Sequence, residues 1–381
     1  NSADALGRIL AQPITAPFQL PSFPRSTVDG FAVRAKDTYG ASESLPAYLK
    51  LVGEVRMGTA SDIVLGKGEC AIMHTGGMLP QGADAVVMVE YTQQPLPHET
   101  EIWRAVGAGE NVLQAGEDVA EGELVIAAGT RVRSAEIGGI MALGLTEVTV
   151  ARRPRVGILS SGDEVIPPGQ PLQHGQVYDI NSYTLRALIE QAGGIPHAYG
   201  IIPDNASAFA EYAQRALAEN DLVVFTAGSS VSVRDLTATT IDALGKPGVL
   251  VHGVNVRPGK PTILAMCDGK PVIGLPGNPV SALVIAGLFV TPVIGKLLGR
   301  SEGRLQATVS ATLTTNLNSQ SGREDWVSVR LIKGEKGVVS AEPVFGKSGL
   351  IFTLTRADGL LRIHPDANGI AAGSQVIVHL L

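Results

Sequence analysis

Residues 153–299 alternate between two kinds of apolar run. "RVGILSSG", "LVVFTAG" and "KPVIGL" are short and continuously apolar, which is typical of strands buried on both faces. "NSYTLRALIEQAGG" and "NASAFAEYAQRALAEND" instead carry apolar residues at helical spacing, and we expect Asn181 to cap the first of these helices. Strands that alternate with helices predict a mostly parallel sheet covered on both faces, with ligands bound beyond the carboxyl ends of the strands.

The regions on either side of this one contain short β-type runs. "YLKLVGEV", "ECAIMHTG" and "DAVVMVE" are separated by Gly, Pro and Asp, and they predict a small β domain. "DWVSVRLI", "GVVSAEPV" and "SQVIVHLL" predict a second small β module after residue 300. The start of the chain, "NSADALGRILAQPITA", predicts a short helix that runs into an extended arm, and Ser134 is the expected cap of a helix that ends near Gly144.

The longest uncharged stretch, residues 271–295, is long enough for a membrane span of roughly 20 apolar residues. Near its start, however, lie Pro276, Gly277, Asn278 and Pro279, and such a turn would leave backbone polar groups unpaired in lipid. We therefore predict a strand, a turn and a helix with Asn278 as its cap and Pro279 at its first position. No membrane partner is expected.

Composition and charge restrict the class of protein and the kinds of ligand to be expected. The 381 residues are 45% hydrophobic and 17% charged, typical of a soluble globular protein of about two to four domains. A net charge of −6 excludes a general attraction to nucleic acid, so an anionic ligand needs a local site. Cys70 and Cys267 lie in apolar runs without metal-ligand spacing, which predicts buried, reduced thiols. The start of the chain carries no signal-peptide pattern, and the cytoplasm is the expected location.

The common nucleotide and hydrolase motifs are absent. "GVNVRPGKPT" has five residues between its glycines and Pro261 after the lysine, so it is not a P-loop. The sequence contains neither a strand-linked GxGxxG nor GxSxG, and its seven His residues are scattered. Dinucleotide, serine hydrolase and zinc chemistry are therefore disfavoured.

Several polar loops contain residues that suit catalysis or ligand binding, and each of these residues also has a simpler structural explanation. Asp29 precedes Gly30 and forms either a hairpin corner or part of a site, and Thr75 precedes paired glycines whose amides could cradle an anion. Asp163 and Glu164 follow a strand, where they would bind Mg²⁺ or cap a turn.

A second group of loops offers phosphate contacts. "AGSSVSVRDL" supplies Ser229, Ser230 and Ser232 and also contains Asp235, which either starts a helix or serves a site. "RPGKP" brings the cations Arg257 and Lys260 together, and "LPGNPVS" directs helix amides at the crevice. Together these loops predict a magnesium-assisted reaction on a phosphorylated, multiply anionic substrate.

The motifs "PSFPRSTVDGFAVRAKD", "HTGGMLPQGADAVVMVE", "GEDVAEGELVIAAGTRV", "RVGILSSGDEV", "GQVYDINSYTL", "VRPGKP" and "GLPGNPVSA" occur in the order of the MoeA and gephyrin E-domain family. The chain resembles these molybdopterin molybdenumtransferases over nearly its whole length. The resemblance implies molybdenum cofactor biosynthesis: Mg²⁺-dependent insertion of molybdate into adenylylated molybdopterin, with release of AMP.

The resemblance also implies the site. The catalytic positions would be Asp29, Thr75, Glu164, Asp221 and Asp235, and the metal ligands would be Asp29, Glu164 and Asp235. The cofactor-binding positions would be Asp118, Gly228, Ser229, Ser230, Ser232, Arg257, Lys260, Pro276, Asn278, Pro279, Ser281, Arg323 and Ser348.

The fold that the resemblance implies is multidomain, α/β and β. We expect an elongated arm domain from residues 1–20 and 112–152, an inserted β domain at 21–111, and a three-layer α/β molybdopterin-binding domain at 153–299 that resembles molybdopterin adenylyltransferases. A small β-barrel at 300–381 completes it. The family forms homodimers with a cleft between one subunit's α/β domain and the other's β domain, and a molybdopterin adenylyltransferase is a possible partner.

Three positions depart from the family pattern. The loop "GSSVSVRD" places Arg234 where the family has Gly, Gly253 stands where a Lys is common, and Leu113 stands where an Arg is common. These changes either preserve the charge of the site or mark a subfamily with altered substrate handling.

The sequence leaves three alternative functions open. The first is a non-catalytic molybdopterin-binding or scaffold protein, which the acidic positions disfavour because a scaffold has no need of carboxylates facing an anionic ligand. The second is an adenylyltransferase-like activity of the α/β domain alone, which the linked β domains disfavour. The third is insertion of tungstate, which resembles molybdate in size and charge.

Overall fold

The computed structural model describes residues 1–226, 231–301, 307–334 and 337–381, with the side chains of residues 231–235 outside the description. The chain divides into two compact units. Unit 1 comprises Asn1–Leu6, Gln12–Ala128 and Arg133–Val148, and unit 2 comprises Gly7–Ala11, Gly129–Val132 and Thr149–Leu381.

Unit 1 is built on a six-stranded sheet of order β6-β3-β5-β4-β8-β7. Its elements are β1 (Ile14–Thr15), β2 (Arg25–Ser26), β3 (Gly30–Val33), β4 (Ala47–Glu54), β5 (Glu69–Met73), β6 (Ala85–Met88), β7 (Thr92–Leu96), β8 (Glu99–Ile102), β9 (Val112–Leu113), β10 (Leu124–Ile126) and α1 (Ser134–Ala142). Phe31, Val33, Cys70 and Val87 form its buried core. Strands β1 and β10 pair antiparallel, so two segments that are distant in sequence meet in unit 1.

Two helix predictions near the arm are corrected. The start of the chain forms only a 3₁₀ turn, Ser2–Asp4, and Gly7 has a left-handed φ of 76°, which ends helical geometry. Helix α1 begins at Ser134 itself, so Ser134 is not the cap. Arg133 occupies that position, and Glu136 Oε2 accepts its backbone N–H at 2.8 Å.

The α/β part of unit 2 carries a six-stranded sheet of order β14-β11-β15-β19-β18-β16. Its elements are β11 (Arg155–Ser161), β12 (Val165–Ile166), β13 (Val177–Tyr178), α2 (Asn181–Ala192), β14 (Ile195–Ile202), α3 (Ala206–Glu219), β15 (Leu222–Thr226), α4 (Val231–Ala243), β16 (Pro247–His252), β17 (Val256–Arg257), β18 (Ile263–Cys267), β19 (Lys270–Leu275), α5 (Pro279–Ile285), a π-helical segment (Ala286–Val290) and α6 (Thr291–Leu297). Strands β14, β11, β15 and β19 are parallel. Strand β18 pairs antiparallel with both β19 and β16, so β16 again runs in the direction of β19. The tight turn at Asp268 and Gly269, both with positive φ, reverses the chain between β18 and β19.

Two apolar clusters cover the faces of this sheet. Leu185 and Ile189 of α2 pack with Ile285 and Ile294 of the closing helices on one face. Phe209 of α3 and its neighbours pack on the other face. The three-layer α/β arrangement expected from the alternating pattern is therefore confirmed.

The helical stretch Pro279–Leu297 is, by length and composition alone, apolar enough to cross a membrane, with 19 residues and a mean hydropathy of 2.0. Half of the apolar window within this stretch is buried inside the protein. Ala282, Ile285 and Val290 contribute to the same cluster as the sheet residues Val156 and Ile158. This packing is that of a core helix beneath the sheet.

The C-terminal part of unit 2 is a closed β-barrel. Its elements are β20 (Thr308–Leu313), β21 (Leu317–Asn318), β22 (Glu324–Lys333), β23 (Val339–Pro343), α7 (Phe352–Thr355), β24 (Gly359–Ile363), β25 (Gly369–Ile370) and β26 (Gln375–Leu380). The order β22-β23-β20-β26-β24 closes because β24 also pairs with β22. Strand β17 of the α/β part adds to β22, and Trp326 and Leu354 pack against Val280 and Val284 of α5. Shared packing thus joins the barrel to the α/β part.

Candidate active site

The carboxyl edge of the parallel sheet in unit 2 opens into a cavity of about 340 Å³. Its lining comprises Ser160, Ser161, Glu164, Val165, Val177, Tyr178, Asp179, Ile180, Asn181, Thr226, Gly277, Asn278, Pro279 and Gly349. The ends of β11 and β15 and the loops that enter α2 and α5 contribute most of these residues. This is the crevice where open α/β sheets bind ligands.

Glu164 brings an exposed carboxylate to this cavity. The chain reaches it through Gly162, whose φ is 140° and where a Cβ would lie 2.8 Å from Val165 Cγ2, so the turn requires glycine. Asp163 Oδ1 accepts the Asp204 N–H at 3.5 Å. Burial and the negative charge of Asp163 raise the pKa of Asp204, so negative charge is concentrated at the end of β11.

Asn181 is the first residue of α2 rather than its cap, which corrects the prediction. Asp179 Oδ1 accepts the Ser182 N–H at 3.0 Å and takes the capping role. The buried amide of Asn181 instead donates from Nδ2 to the Gly277 carbonyl at 2.9 Å and to Thr226 Oγ1 at 3.4 Å. Asn181 therefore joins the carboxyl end of β15 to the loop that follows β19. Its helical spacing gave no sign of this contact, which exists only once the strands are adjacent.

Asn278 and Ser348, predicted separately, lie together. Asn278 Nδ2 donates to Ser348 Oγ at 3.1 Å, and the Ser348 carbonyl accepts the Val280 N–H at 3.0 Å. Asn278 is the N-cap of α5 and Pro279 its first residue, as predicted, but one amide of this turn already has a protein partner. Pro276 and Ser281 are buried beside the cavity without lining it.

Two of the three predicted cations, Arg257 and Arg323, lie beside one buried carboxylate. Arg323 Nε and Nη2 donate to the two oxygens of Asp325 at 2.7 and 3.1 Å, and Arg257 Nη1 lies 3.8 Å from Asp325 Oδ2. Lys260 is exposed in the loop that follows Arg257. Sequence reasoning missed Asp325, although "GRED" places it two residues after Arg323.

Asp29 and Thr75 lie together in unit 1. Asp29 Oδ1 accepts the backbone N–H of Thr75 at 2.8 Å and its hydroxyl at 3.2 Å. The amides of Gly76 and Gly77 donate to the carbonyls of Ser26 and His74. The predicted anion cradle at Thr75 is therefore wrong, because protein acceptors already take these amides.

Three further positions from the sequence analysis, Asp118, Leu113 and Gly253, are characterised by their backbone contacts. Asp118 is exposed in unit 1, and its N–H donates to the Leu20 carbonyl at 3.0 Å. Leu113 lies in β9 opposite Arg25. Gly253 in unit 2 has a φ of 94° and donates its N–H to the Thr262 carbonyl at 2.8 Å.

Asp221 does not reach the cavity, which corrects its assignment to the active site. It precedes β15, and its carboxylate pairs with both Arg152 Nη atoms at 2.9 and 2.8 Å and accepts the Arg155 N–H at 2.7 Å. These contacts lie at the amino edge of the sheet. Glu164 follows the carboxyl end of β11, roughly 20 Å away at the rise per residue of a strand. Arg152 is the main cause of the lowered pKa of Asp221.

Several predicted residues fall outside the described part of the chain. These are Gly228, Ser229 and Ser230, together with the side chains of Ser232, Arg234 and Asp235. The backbone of α4 begins at Val231, so Asp235 lies inside the helix rather than at its start.

The donor set fits Mg²⁺ held partly by substrate oxygens. Among the described residues no group of three His, Cys, Asp or Glu side chains could enclose a metal ion. Mg²⁺ commonly binds one or two carboxylates, keeps several waters and uses substrate phosphates for the rest. The exposed Glu164 carboxylate at the cavity matches that mode.

Three family models match the chain in order. "MoeA N-terminal region (domain I and II)" matches residues 1–144, "Probable molybdopterin binding domain" matches residues 157–296, and "MoeA C-terminal region (domain IV)" matches residues 310–381. The molybdopterin molybdenumtransferase of Nostoc sp. is 35% identical over 98% of this chain and 86% of its own length. The chain belongs to the MoeA family.

Other relatives agree. The molybdopterin molybdenumtransferase of Haemophilus influenzae is 31% identical over 100% of this chain and 94% of its own length. The crystal structure of the molybdopterin biosynthesis MoeA protein from Pyrococcus horikoshii OT3 has a TM-score of 0.86 and 31% identity, and covers 100% of this chain and 93% of that chain. Membership in the MoeA family confirms the resemblance, the multidomain fold class and the prediction of a transferase in molybdenum cofactor biosynthesis.

Proposed function

We propose that the protein inserts molybdate into adenylylated molybdopterin, in a magnesium-dependent reaction that cleaves the adenylate and releases AMP. The observation that carries this proposal is the cavity at the carboxyl edge of the sheet, which Glu164 and Asn278 line together with Gly349 of the C-terminal part. Relatives named molybdopterin molybdenumtransferases support the reaction class.

Each part of the site has a role in this proposal. Arg257, Lys260 and Arg323 attract and orient the multiply anionic substrates, since guanidinium groups suit the paired oxygens of phosphate and of a tetrahedral oxyanion. Asn278 and Ser348 fix the loop that forms the cavity rim. The side chain of Asn181 links the carboxyl end of β15 to the loop after β19, and this link makes the cavity wall that contacts the substrate rigid.

The magnesium ion would be held by Glu164, with Asp29 and Asp235 as the other proposed ligands, Thr75 orienting Asp29. When bound, Mg²⁺ neutralises charge on the substrate oxygens and so favours cleavage of the adenylate. Molybdate is a substrate in this scheme, and tungstate has nearly the same size and charge.

Four further features belong to the same proposal. The protein is a cytoplasmic homodimer in which Asp29 and Thr75 of one subunit complete the cavity of the other. Its domains are the arm (1–20 and 112–152), the inserted β domain (21–111), the α/β domain (153–299) and the barrel (300–381). Asp118, Pro276, Pro279, Ser281 and the serine loop at 228–232 border the cofactor. A molybdopterin adenylyltransferase supplies the adenylylated substrate.

The test is AMP release by the purified protein from adenylylated molybdopterin with Mg²⁺, with and without added molybdate. We expect release to require both molybdate and Mg²⁺. Tight binding without release would contradict the transferase and favour a binding or scaffold role, and would direct attention to Arg234, Gly253 and Leu113. Replacing molybdate by tungstate in the same assay separates the two oxyanions.

A further inference from the structure

Asp325 is a buried carboxylate at the junction between the α/β part and the barrel, and it contacts two arginines that come from different elements. We propose that Asp325 is a positioning residue that fixes the orientation of Arg257 and Arg323 toward the anionic substrate. The inference rests on the proposed function, because it takes these two guanidinium groups to be substrate contacts.

The contacts of Asp325 are directional. Arg323 approaches side-on, with Nε at 2.7 Å from Oδ1 and Nη2 at 3.1 Å from Oδ2. This paired geometry fixes the guanidinium plane, and the remaining three of its five N–H groups are directed elsewhere. Arg257 Nη1 lies 3.8 Å from the second oxygen. One carboxylate therefore fixes the plane of Arg323 through two hydrogen bonds and holds Arg257 nearby as an ion pair, and these three groups keep a net positive charge.

The backbone around Asp325 is fixed by independent contacts. Strands β17 and β22 pair in parallel, with Val256 opposite Glu324 and Arg257 opposite Asp325. The Glu324 N–H donates to the Asn255 carbonyl at 2.9 Å. Arg257 therefore lies in this ladder and Arg323 directly precedes it, so their long side chains are what need to be oriented.

The exposed fractions of the three side chains match this division of roles. The side chain of Asp325 is 5% exposed, that of Arg323 is 29% exposed and that of Arg257 is 64% exposed. The carboxylate is thus almost inaccessible to a ligand, whereas both cations are accessible. Asp325 acts through the arginines and does not itself touch the substrate.

The direction in which the KM changes distinguishes a positioning role of Asp325 from a simple effect of its charge. Asp325→Asn removes a negative charge close to two cations, so electrostatics alone predicts tighter binding of an oxyanion. Positioning predicts the opposite, because an amide cannot accept both N–H groups of Arg323 and the guanidinium plane is released. We expect the KM for molybdate in AMP release to rise about tenfold, with kcat within about twofold of wild type.

The matched control is Glu342→Gln. Glu342 pairs with Arg330 in the same barrel, through two guanidinium nitrogens and one carboxylate oxygen, in an exposed position. We expect this variant to keep the wild-type KM. Arg323→Lys, which retains the charge and removes the fork, should raise the KM as Asp325→Asn does.

The direct readout is the arginine Nε–H NMR spectrum of the whole protein. We expect a protected Arg323 signal in the wild type that Asp325→Asn abolishes and Glu342→Gln leaves in place. An unchanged or lowered KM in Asp325→Asn, with AMP release intact in the wild type, would overturn the positioning role and leave the proposed function standing. Failure of AMP release in the wild type would overturn the proposed function, and the Nε–H signal alone would then decide whether Asp325 orients Arg323.

Discussion

Glu164 and Asp221 show how two carboxylates with the same motif-based assignment are placed in different surroundings. Glu164 follows the carboxyl end of β11 and lines the cavity. Asp221 precedes β15 at the other edge of the sheet, where Arg152 and the backbone of Arg155 occupy its oxygens. An exposed carboxylate with open coordination positions suits a metal or substrate, whereas one whose oxygens are all bound stabilises the fold.

The Glu164 assignment predicts a loss of activity without a loss of stability. In Glu164→Gln, molybdate-dependent AMP release should fall at least about 100-fold, because the amide is a poor Mg²⁺ ligand. The melting temperature should stay within about 1 °C of wild type, since the side chain is exposed. Glu190→Gln, an exposed carboxylate in α2 paired with Arg186, is the control and should leave both quantities unchanged. Normal turnover in Glu164→Gln would remove Glu164 from the proposed site.

The Asp221 geometry predicts the reverse. Asp221→Asn should lower the free energy of unfolding by about 1–2 kcal/mol, because it breaks the paired hydrogen bonds to Arg152, while kcat stays near wild type. Urea unfolding and AMP release measure the two quantities. A large loss of kcat without destabilisation would return Asp221 to the catalytic set.

The same pair predicts a pH dependence. Arg152 holds the pKa of Asp221 below its ordinary value of 3.8 in the folded state. The stabilisation by the ionised carboxylate of Asp221 is therefore fully present at pH values above the ordinary pKa of 3.8. It is lost as the pH falls from there through the lowered pKa of the folded state. The stability difference between wild type and Asp221→Asn should be constant from about pH 5 to 8 and shrink below the ordinary pKa.

At the scale of elements, the loops that follow the strands carry residues of the proposed site, and glycine lets these loops pack closely. Gly259, in the loop between Arg257 and Lys260, has a φ of 124°, and a Cβ there would lie 2.2 Å from Ile285 Cγ1 of α5. The Thr262 hydroxyl donates to the Gly259 carbonyl at 2.6 Å and holds the same turn. The position of the cations therefore depends on direct contact between this loop and the closing helix.

Gly259→Ala should consequently disturb the stability of the protein, its affinity for substrate, or both. The left-handed φ and the overlap with Ile285 together should cost at least about 2 kcal/mol, or displace the loop and raise the KM for molybdate. Gly287→Ala is the control, because a Cβ there has no atom within 4 Å. Denaturant unfolding and AMP release distinguish the two forms of damage. A Gly259→Ala protein with wild-type stability and KM would show that the loop is not fixed by α5.

At the scale of the whole molecule, the residues assigned to the proposed site fall in two different compact units of the chain. Asp29 and Thr75 belong to unit 1, whereas Glu164, Asn278 and Arg323 belong to unit 2. Under the proposed function the two sets meet across a homodimer interface. In a two-fold symmetric dimer each of two equivalent sites would then contain residues of both subunits.

Mixing two inactive variants tests this arrangement. Asp29→Asn and Glu164→Gln should each lack AMP release, and equal amounts unfolded and refolded together should regain roughly a quarter of wild-type activity. Half of the dimers are then mixed, and each mixed dimer has one site with both native carboxylates. If each site were built within one subunit, the mixture would stay inactive. Refolded wild type and each variant refolded alone are the controls.

The sequence by itself determined the alternation of strands and helices, the turn at Pro276–Pro279 and the family, because apolar periodicity and motif order are local properties of the chain. The core packing of Ala282 and Ile285 agrees with that pattern. The tertiary structure alone decided which edge of the sheet each carboxylate occupies, the link from Asn181 to Gly277 and the sharing of Asp325 by Arg257 and Arg323. These contacts join residues that are distant in sequence, and side-chain direction at a junction follows from packing rather than from residue spacing.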